Sequence, residues 1–591
     1  MAETYHDTDV LVMGGGGAGF RAAIEAAHSG VHVTLVSKGP LARSGASPMA
    51  GADFTLDGTS MNELGREGDV NDSKEKVFND IVTQGWYLNN QKLVGQYVDT
   101  AKSQLADLME WGIDITLSDQ RAIFTSGTGI MDVLLKKARA VGVELLEDVS
   151  ILELMKTDGR IAGALGLDVR TGEFIRFRAG AVVIASGGWH KAFWPNTGMR
   201  DLSGDGIAAA FRAGADIGNM EFITFCCNVF YAPPIWRGSL APYILSLVCG
   251  GRMSDRNGDD LLSGFDPVLQ QKGVLTEWNK SFLSYVSTLA AREGRALENG
   301  GIHYSRGDVD WGFMQMVGGV IFPNWKYKAI DFSTWAEKLE KNEPVEVGPA
   351  VEYFDGGIVV GDRFETTVPG LYAAGEAALG AFGANRVFSA VTEMLVQGRD
   401  AGRFSAEFAK AKKAPEPKRD AFREAEERAC APLSCTGGEN PPAVRRNIQE
   451  AAHRRLGPIR SEGELTAFIG MLEDVQKNVL SNLSVSYTGR TYNKEWFDAL
   501  ELRNIVELLL VSAKSARLRT ESRGVHFRED FPHTDNDAWL CETIVSRGED
   551  AIAFSSRPVT VPHMTPPRGK TPYLEMMKTL MEAHSDTGGK H

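Results

Sequence analysis

Val10 to Met13 is a short unbroken apolar run, the pattern of a strand buried on both faces. A glycine loop follows from Gly14 to Gly19, then apolar positions at helical spacing from Phe20 to His28, then a second apolar run from Val31 to Val36. This order predicts strand, turn, helix and strand, the opening of a doubly wound sheet. Val143 to Asp168 alternates like antiparallel strands that turn at Asp158-Gly159, and Ala181 to Ala185 predicts another buried strand. From about 241 to 350 the pattern changes to aromatic residues and polar loops. Strand and glycine signals return between Gly356 and Gly383. Lys410 to Arg419, rich in Lys, Ala and Pro, reads as a linker. Helical periodicity runs from Ala421 to about Ser522, and the proline-rich stretch from Arg557 to His591 predicts an extended tail. No internal repeat is visible. The expected division has residues 1–240 and 351–415 as two parts of one domain and 241–350 as a cap inserted between them. Residues 416–540 are expected to form a helical domain and 541–591 a C-terminal tail.

Composition narrows the class. The chain has 591 residues, too many for one hydrophobic core, so two or three domains are expected. Its net charge of -14 and lack of a basic run argue against nucleic acid or an anionic membrane surface as a partner. Met1 to Asp9 is polar and acidic, unlike a secretion signal, and no apolar run approaches the roughly 20 residues that span a bilayer. The expectation is a cytoplasmic protein that meets a membrane only through partner subunits. None of the six cysteines forms a CxxC pair, so no iron–sulfur or zinc motif and no metal site is expected. Buried, reduced thiols are the ordinary reading for them.

The loop Gly14-Gly15-Gly16-Gly17-Ala18-Gly19 satisfies GxGxxG between a strand and a helix. Gly14, Gly16, Gly17, Ala18 and Gly19 are small enough for the backbone to approach a pyrophosphate, which the helix N-terminus attracts. The second strand ends at Ser37-Lys38 rather than at an acidic residue, so Ser37, Lys38 or backbone groups are left to meet a ribose.

Further segments follow in a fixed order. Ala185-Ser186-Gly187-Gly188 ends a buried strand, and Ser203-Gly204-Asp205-Gly206 starts a helix. Gly370-Leu371-Tyr372-Ala373-Ala374-Gly375-Glu376 is followed by Gly383-Ala384-Asn385-Arg386. Glu521-Ser522-Arg523-Gly524 leads into Val525 to Pro532. From about residue 8 to 540 the chain resembles the flavoprotein subunits of succinate dehydrogenases and fumarate reductases, a group that includes aspartate oxidase and the flavin subunit of adenylylsulfate reductase. The resemblance implies an α/β fold: a split Rossmann-like FAD domain, an inserted capping domain and a C-terminal helical domain. It also implies that Glu376 binds a ribose of FAD, that Asp205 lies near the cofactor, and that the backbone of Ser389, Ala390 and Val391 faces the isoalloxazine. A helix N-terminus there favours the anionic reduced flavin.

The family pattern also breaks. Its covalent histidine falls on Gly45 within Arg43-Ser44-Gly45-Ala46-Ser47, so non-covalent FAD is expected, with Ser44, Gly45 and Ala46 beside it. One substrate histidine becomes Cys226, after Met220-Glu221-Phe222. Another aligns with Glu352, ahead of Gly356-Gly357. Aligned backwards from Asn257-Gly258-Asp259, the position of the proton-delivering arginine falls near Leu247, with only Gly250, Gly251 and a displaced Arg252 resembling its motif. Arg386 survives. Loss of charge-assisted contacts, each about 1.5–3 kcal/mol, predicts a substrate other than fumarate or succinate. Arg252, Glu352, Tyr353 and Asp355 are candidate replacements for the proton donor. Phe225, Phe230, Tyr231, Trp236 and Tyr243 form either a roomier pocket or ordinary core. Cys226-Cys227 is either a redox pair or, by preference, two buried thiols. His526 reads as structural or an interface residue, and His190 as a residue near the adenine side of FAD or, by preference, a surface-loop residue. The expectation is an FAD oxidoreductase subunit that exchanges electrons between a small molecule and an iron–sulfur partner, docked through the C-terminal helices and tail. A flavin relay module with a dead substrate site is an alternative, as is an adenylylsulfate-reductase-like enzyme or a true fumarate reductase.

Overall fold

A computed structural model describes residues 5–50, 53–322, 330–386, 389–548 and 551–583. The chain opens with β1 (His6–Met13), α1 (Gly17–His28) and β2 (Val33–Val36). Further along come β3 (Glu144–Leu146), β4 (Val149–Thr157), β5 (Arg160–Asp168) and β6 (Phe174–Ile184). These strands form a sheet in the order β3-β2-β1-β6-β5-β4. β1 pairs in parallel with both β2 and β6, while β4, β5 and β6 run antiparallel to one another. Val10, Leu11 and Val12 are fully buried, which is why β1 reads as an unbroken apolar run rather than as an alternation.

α2 (Asp205–Arg212) follows β6, and β7 (Ile223–Phe230) leads into α3 (Ala241–Cys249) and β8 (Arg252–Ser254). Then come α4 (Asn279–Arg292), β9 (Ile302–Ser305), α5 (Trp311–Ile321) and β10 (Val345–Phe354). The four strands form a second sheet in the order β7-β10-β9-β8, so β10 joins the cap-region strands to β7. The chain returns to the first sheet with β11 (Leu371–Ala373), which pairs in parallel with β6. It continues into α6 (Ala390–Ala411), which packs along α1. A Cβ at Gly402 would stand 2.2 Å from the Ala22 carbonyl oxygen, so the two backbones meet where only glycine fits.

After Ser434 the helical part contains α7 (Pro441–Arg455) and the 25-residue α8 (Lys494–Leu518). Buried charges bind α8 to the first domain. Lys38 joins Asp205 at 2.7 Å and Glu501, Lys191 joins Asp498 at 2.9 Å and Glu501, and Asn504 donates to Asp205 at 2.8 Å. The Glu521–Arg528 segment is almost fully buried. Its arginines are neutralised locally, Arg523 by Glu521 at 2.8 Å and Arg528 by Asp530 at 2.7 Å. Arg519 reaches Glu221 at 2.7 Å, and His526 meets Arg460 at 2.7 Å inside this cluster. The segment clamps the motif that carries Arg386: the Val525 amide donates to the Ala384 carbonyl at 3.0 Å, and a Cβ at Gly524 would strike that oxygen at 1.9 Å.

The stretch expected to be an extended tail is folded. β12 (Cys541–Arg547) and β13 (Ile552–Pro558) form an antiparallel hairpin, and α9 (Tyr573–Ala583) buries Tyr573, Met577 and Met581. The prolines fall between these elements and at their ends, while the apolar side chains at i, i+4 and i+8 make one buried helix face. Residues 584–591 of the expected tail lie outside the described residues.

Candidate functional site

A cavity of about 570 Å3 runs from the Gly14–Ala18 loop to α3 and β10, within the range of cofactor and ligand sites. Most of the sequence-predicted residues reach it. Gly14, Gly16, Gly17 and Ala18 line one end, with Ser37, Lys38 and Asp205. Ser44, Gly45 and Ala46 form one side. Ala185, Ser186 and Gly187 line it as well, together with Gly375, Glu376, Ala390 and Val391. Glu352, Tyr353 and Arg386 stand on its wall with Lys280 and α3. Gly19 and Ser389 act from just behind. A Cβ at Gly19 would lie 1.9 Å from the Gly14 oxygen, and the Ser389 hydroxyl accepts the Thr392 amide at 3.2 Å, capping α6.

The glycine loop is built for close approach. Gly14 has φ +125°, and a Cβ there would lie 2.2 Å from the Ala185 oxygen. Gly16 caps α1 without a side-chain hydrogen bond, and no acidic residue stands in its first turn. The positive end of the helix dipole therefore lies at the cavity, where the Gly17 amide donates to the Ser47 hydroxyl at 3.1 Å, an arrangement suited to a pyrophosphate. Two buried polar atoms on the wall, Ser186 Oγ and His190 Nδ1, have no hydrogen-bond partner among the described residues. Buried polar atoms are normally satisfied, so these fit a ligand group. The donor set thus suits a dinucleotide such as FAD.

Some predicted side chains are committed elsewhere. Lys38 is held by Ser203, Asp205 and Glu501, and Ser37 pairs with Ser44 at 3.2 Å. Burial opposes the charge of Glu501, yet Lys38 and Lys191 bring its pKa down to about 2. Glu376 accepts the Gly188 amide at 3.0 Å and the Phe354 amide at 3.3 Å, and burial pushes its carboxyl up. His190 is not a surface residue. It is 2% exposed, its Nε2 donates to the Glu352 carbonyl at 2.6 Å, and its ring packs edge-on against Phe354.

At the far end, the Arg386 guanidinium lies 4.4 Å from the Tyr353 ring centre. The Tyr353 hydroxyl donates to Glu393 at 3.0 Å, and Glu393 also accepts the Ala381 amide at 2.7 Å. Lys280 is the residue that sequence reasoning missed. It is 5% exposed and places its ammonium 2.7 Å from Glu277 and 3.2 Å from Glu352. Burial opposes that charge, and the two carboxylates outweigh it, holding the ammonium above its ordinary pKa. Tyr243 extends the cluster by donating to Glu277 at 3.3 Å. The available signal was Glu277 three residues before Lys280 at the start of a helix.

Leu247 does line the cavity, with Leu240, Ile244 and Val248. Arg252 does not. It is exposed at the sheet edge on β8 and donates to the Gly258 carbonyl at 2.7 Å. Cys226 and Cys227 are fully buried off the wall, and burial raises both thiols. Among the expected aromatic liners only Tyr243 reaches the cavity; Phe225, Phe230 and Tyr231 are core residues, and Trp236 packs on Phe230. Asp355 lies behind the wall, accepts the Thr224 hydroxyl at 2.7 Å and is pushed up to about 8 by burial.

The comparisons agree with this geometry. An FAD binding domain matches residues 9–123 and 115–390, and a fumarate reductase flavoprotein C-terminal domain matches 445–572. The chain belongs to the succinate dehydrogenase/fumarate reductase flavoprotein family. Like other members, it is an FAD-dependent oxidoreductase with the expected α/β fold. One chain of the fumarate reductase (CoM/CoB) of Methanothermobacter marburgensis is 29% identical, over 93% of this chain and 98% of that one. The fumarate reductase flavoprotein subunit of Mycobacterium tuberculosis is 28% identical, over 94% and 98%. The solved structure of Mycobacterium smegmatis Sdh1 in complex with UQ1 matches with a TM-score of 0.83 at 27% identity, over 95% of this chain and 96% of that one. Among the described residues no helix is long and apolar enough to cross a membrane.

Proposed function

We propose that the chain is a flavoprotein subunit that holds FAD non-covalently and exchanges electrons between a substrate other than fumarate or succinate and an iron–sulfur partner. The observation that carries this reading is Leu247 on the cavity wall, where the family pattern expects a proton-delivering arginine. An aliphatic side chain can neither hold a proton nor clamp a carboxylate. Of the cations on the same wall, Lys280 is paired with Glu277 and Glu352, and Arg386 stacks on Tyr353. A dicarboxylate would bring two further negative charges to a wall on which Glu277 and Glu352 already offset Lys280.

Bound FAD supplies hydride transfer. The protein's own groups then have separate tasks. The Gly14–Gly19 loop and the start of α1 hold the pyrophosphate, and the start of α6 presents Ala390 and Val391 at the cavity. Arg386 orients an anionic group of the substrate. Lys280, kept charged by Glu277 and Glu352, holds the proton that accompanies reduction, and Glu277, its side chain 38% exposed, returns that proton from water. A cytoplasmic setting, with any membrane contact made through partners, fits the chain's charge and helices.

The test is anaerobic purification with native partners, followed by redox titration monitored by flavin absorption and by electron paramagnetic resonance of the partner's clusters. Electron exchange between flavin and cluster, with no flavin response to succinate or fumarate, is expected. A flavin that equilibrates with the succinate/fumarate couple overturns the substrate reading. Absence of a co-purifying cluster protein overturns the partner reading.

A further inference from the structure

α3 is a short helix without a charged residue, and one of its faces packs partly against the surrounding core and partly lines the cavity. Ile244, Leu247 and Val248 are half-buried and line the cavity, and Leu240 precedes them at the helix start. Their spacing of i, i+4, i+7 and i+8 makes one continuous aliphatic stripe. Neighbouring α5 adds Ile321 to the same wall. The part of this stripe that lines the cavity is a surface that an apolar ligand can cover. Charged groups gather on the other side of the same end. Arg386 stacks on Tyr353, and Lys280 lies between Glu277 and Glu352.

We propose that this end of the cavity binds an amphiphilic monocarboxylic acid, its carboxylate at Arg386 and its hydrocarbon body along Leu240, Ile244, Leu247 and Val248. The inference rests on the reading that the substrate is not a dicarboxylate, and it names the substrate class of that site. Lys280 is taken up by Glu277 and Glu352, and Arg386 on the same wall can meet one carboxylate. A second carboxylate at the distal end would lie against aliphatic side chains and lose its hydration without a partner. Burying each methylene on the stripe adds about 0.8 kcal/mol, which is about fourfold in affinity.

Binding can be tested without turnover. The oxidised holoprotein is titrated with saturated straight-chain monocarboxylates from butyrate to decanoate, and with succinate and suberate, by calorimetry and by perturbation of the flavin spectrum. Affinity is expected to rise about fourfold per methylene until the stripe is covered, and suberate is expected to bind more weakly than octanoate. Equal affinity along the series, or succinate binding more tightly than octanoate, overturns the proposal. Leu247→Asp, checked for flavin content and circular dichroism, is expected to abolish the chain-length dependence. If that variant misfolds, the wild-type series alone decides. Bleaching of the flavin by added succinate is a different result: it defeats the underlying reading of the site, whatever the binding series shows.

Discussion

The Lys280 ammonium lies 3.2 Å from the Glu352 carboxylate across the wall of the cavity, joining α4 to β10. One of these residues was singled out from the sequence and the other was not. Their pairing converts Glu352 from a candidate acid into the group that holds a buried cation in place. Lys280→Met leaves Glu352 without that cation and is expected to cost about 3 kcal/mol, the low end for a broken buried pair because Glu277 remains partly in water. The Lys280→Met, Glu352→Gln double variant should lose less than the sum of the single changes. Thermal melting of the four proteins measures this, and additive losses would show that the pair does not interact.

Gly19 offers a test of the nucleotide loop. A methyl group there would stand 1.9 Å from the Gly14 carbonyl oxygen, so Gly19→Ala must push the loop away from α1. The expected result is protein purified with less than a tenth of its FAD, a change of about 1.4 kcal/mol or more in cofactor affinity. The ratio of flavin absorption to protein absorption reports it directly.

Gly45 bears on the attachment of the cofactor. It lines the cavity with φ +75°, and glycine has no side chain to bond flavin carbon. Acid precipitation of the holoprotein should release all of the FAD into the supernatant. Yellow colour remaining in the pellet after washing would contradict non-covalent binding.

His453 predicts a pH dependence. It is half-buried beside Phe225, bonded to Tyr231 Oη at 3.0 Å, and desolvation with nearby Arg237 lowers its pKa to about 4. The unfolded chain takes up that proton near pH 6.5, and the folded chain does not until about pH 4. Its share of stability is therefore complete above pH 6.5 and is lost as pH falls from 6.5 to 4, by about 3 kcal/mol at most. His453→Gln should flatten that part of the profile in denaturation measured between about pH 7 and pH 4.

The opening of the fold was legible because β1, the glycine loop and α1 state their roles locally, through an apolar run, small residues and helical spacing. Gly45 and Leu247, where the sequence is read as departing from the pattern it resembles, both line the cavity. Lys280 was not legible because its role depends on β10 bringing Glu352 to α4, a contact between residues far apart in sequence. His190 was misread because its burial comes from Phe354 and Gly198, which the local sequence does not announce. The C-terminal helix was missed because the surrounding prolines outweighed the spacing of Tyr573, Met577 and Met581. Arg252 looked displaced by only a few residues, but β8 carries it to the exposed edge.

The most direct measurement is a single-turnover experiment in which the native complex, its flavin reduced anaerobically, is mixed with fumarate and followed by flavin absorption. The account predicts that the flavin stays reduced over seconds, because Leu247 offers no cation to clamp a second carboxylate and Lys280 is already taken up by Glu277 and Glu352. Reoxidation at catalytic rates, with succinate as the product, would contradict it.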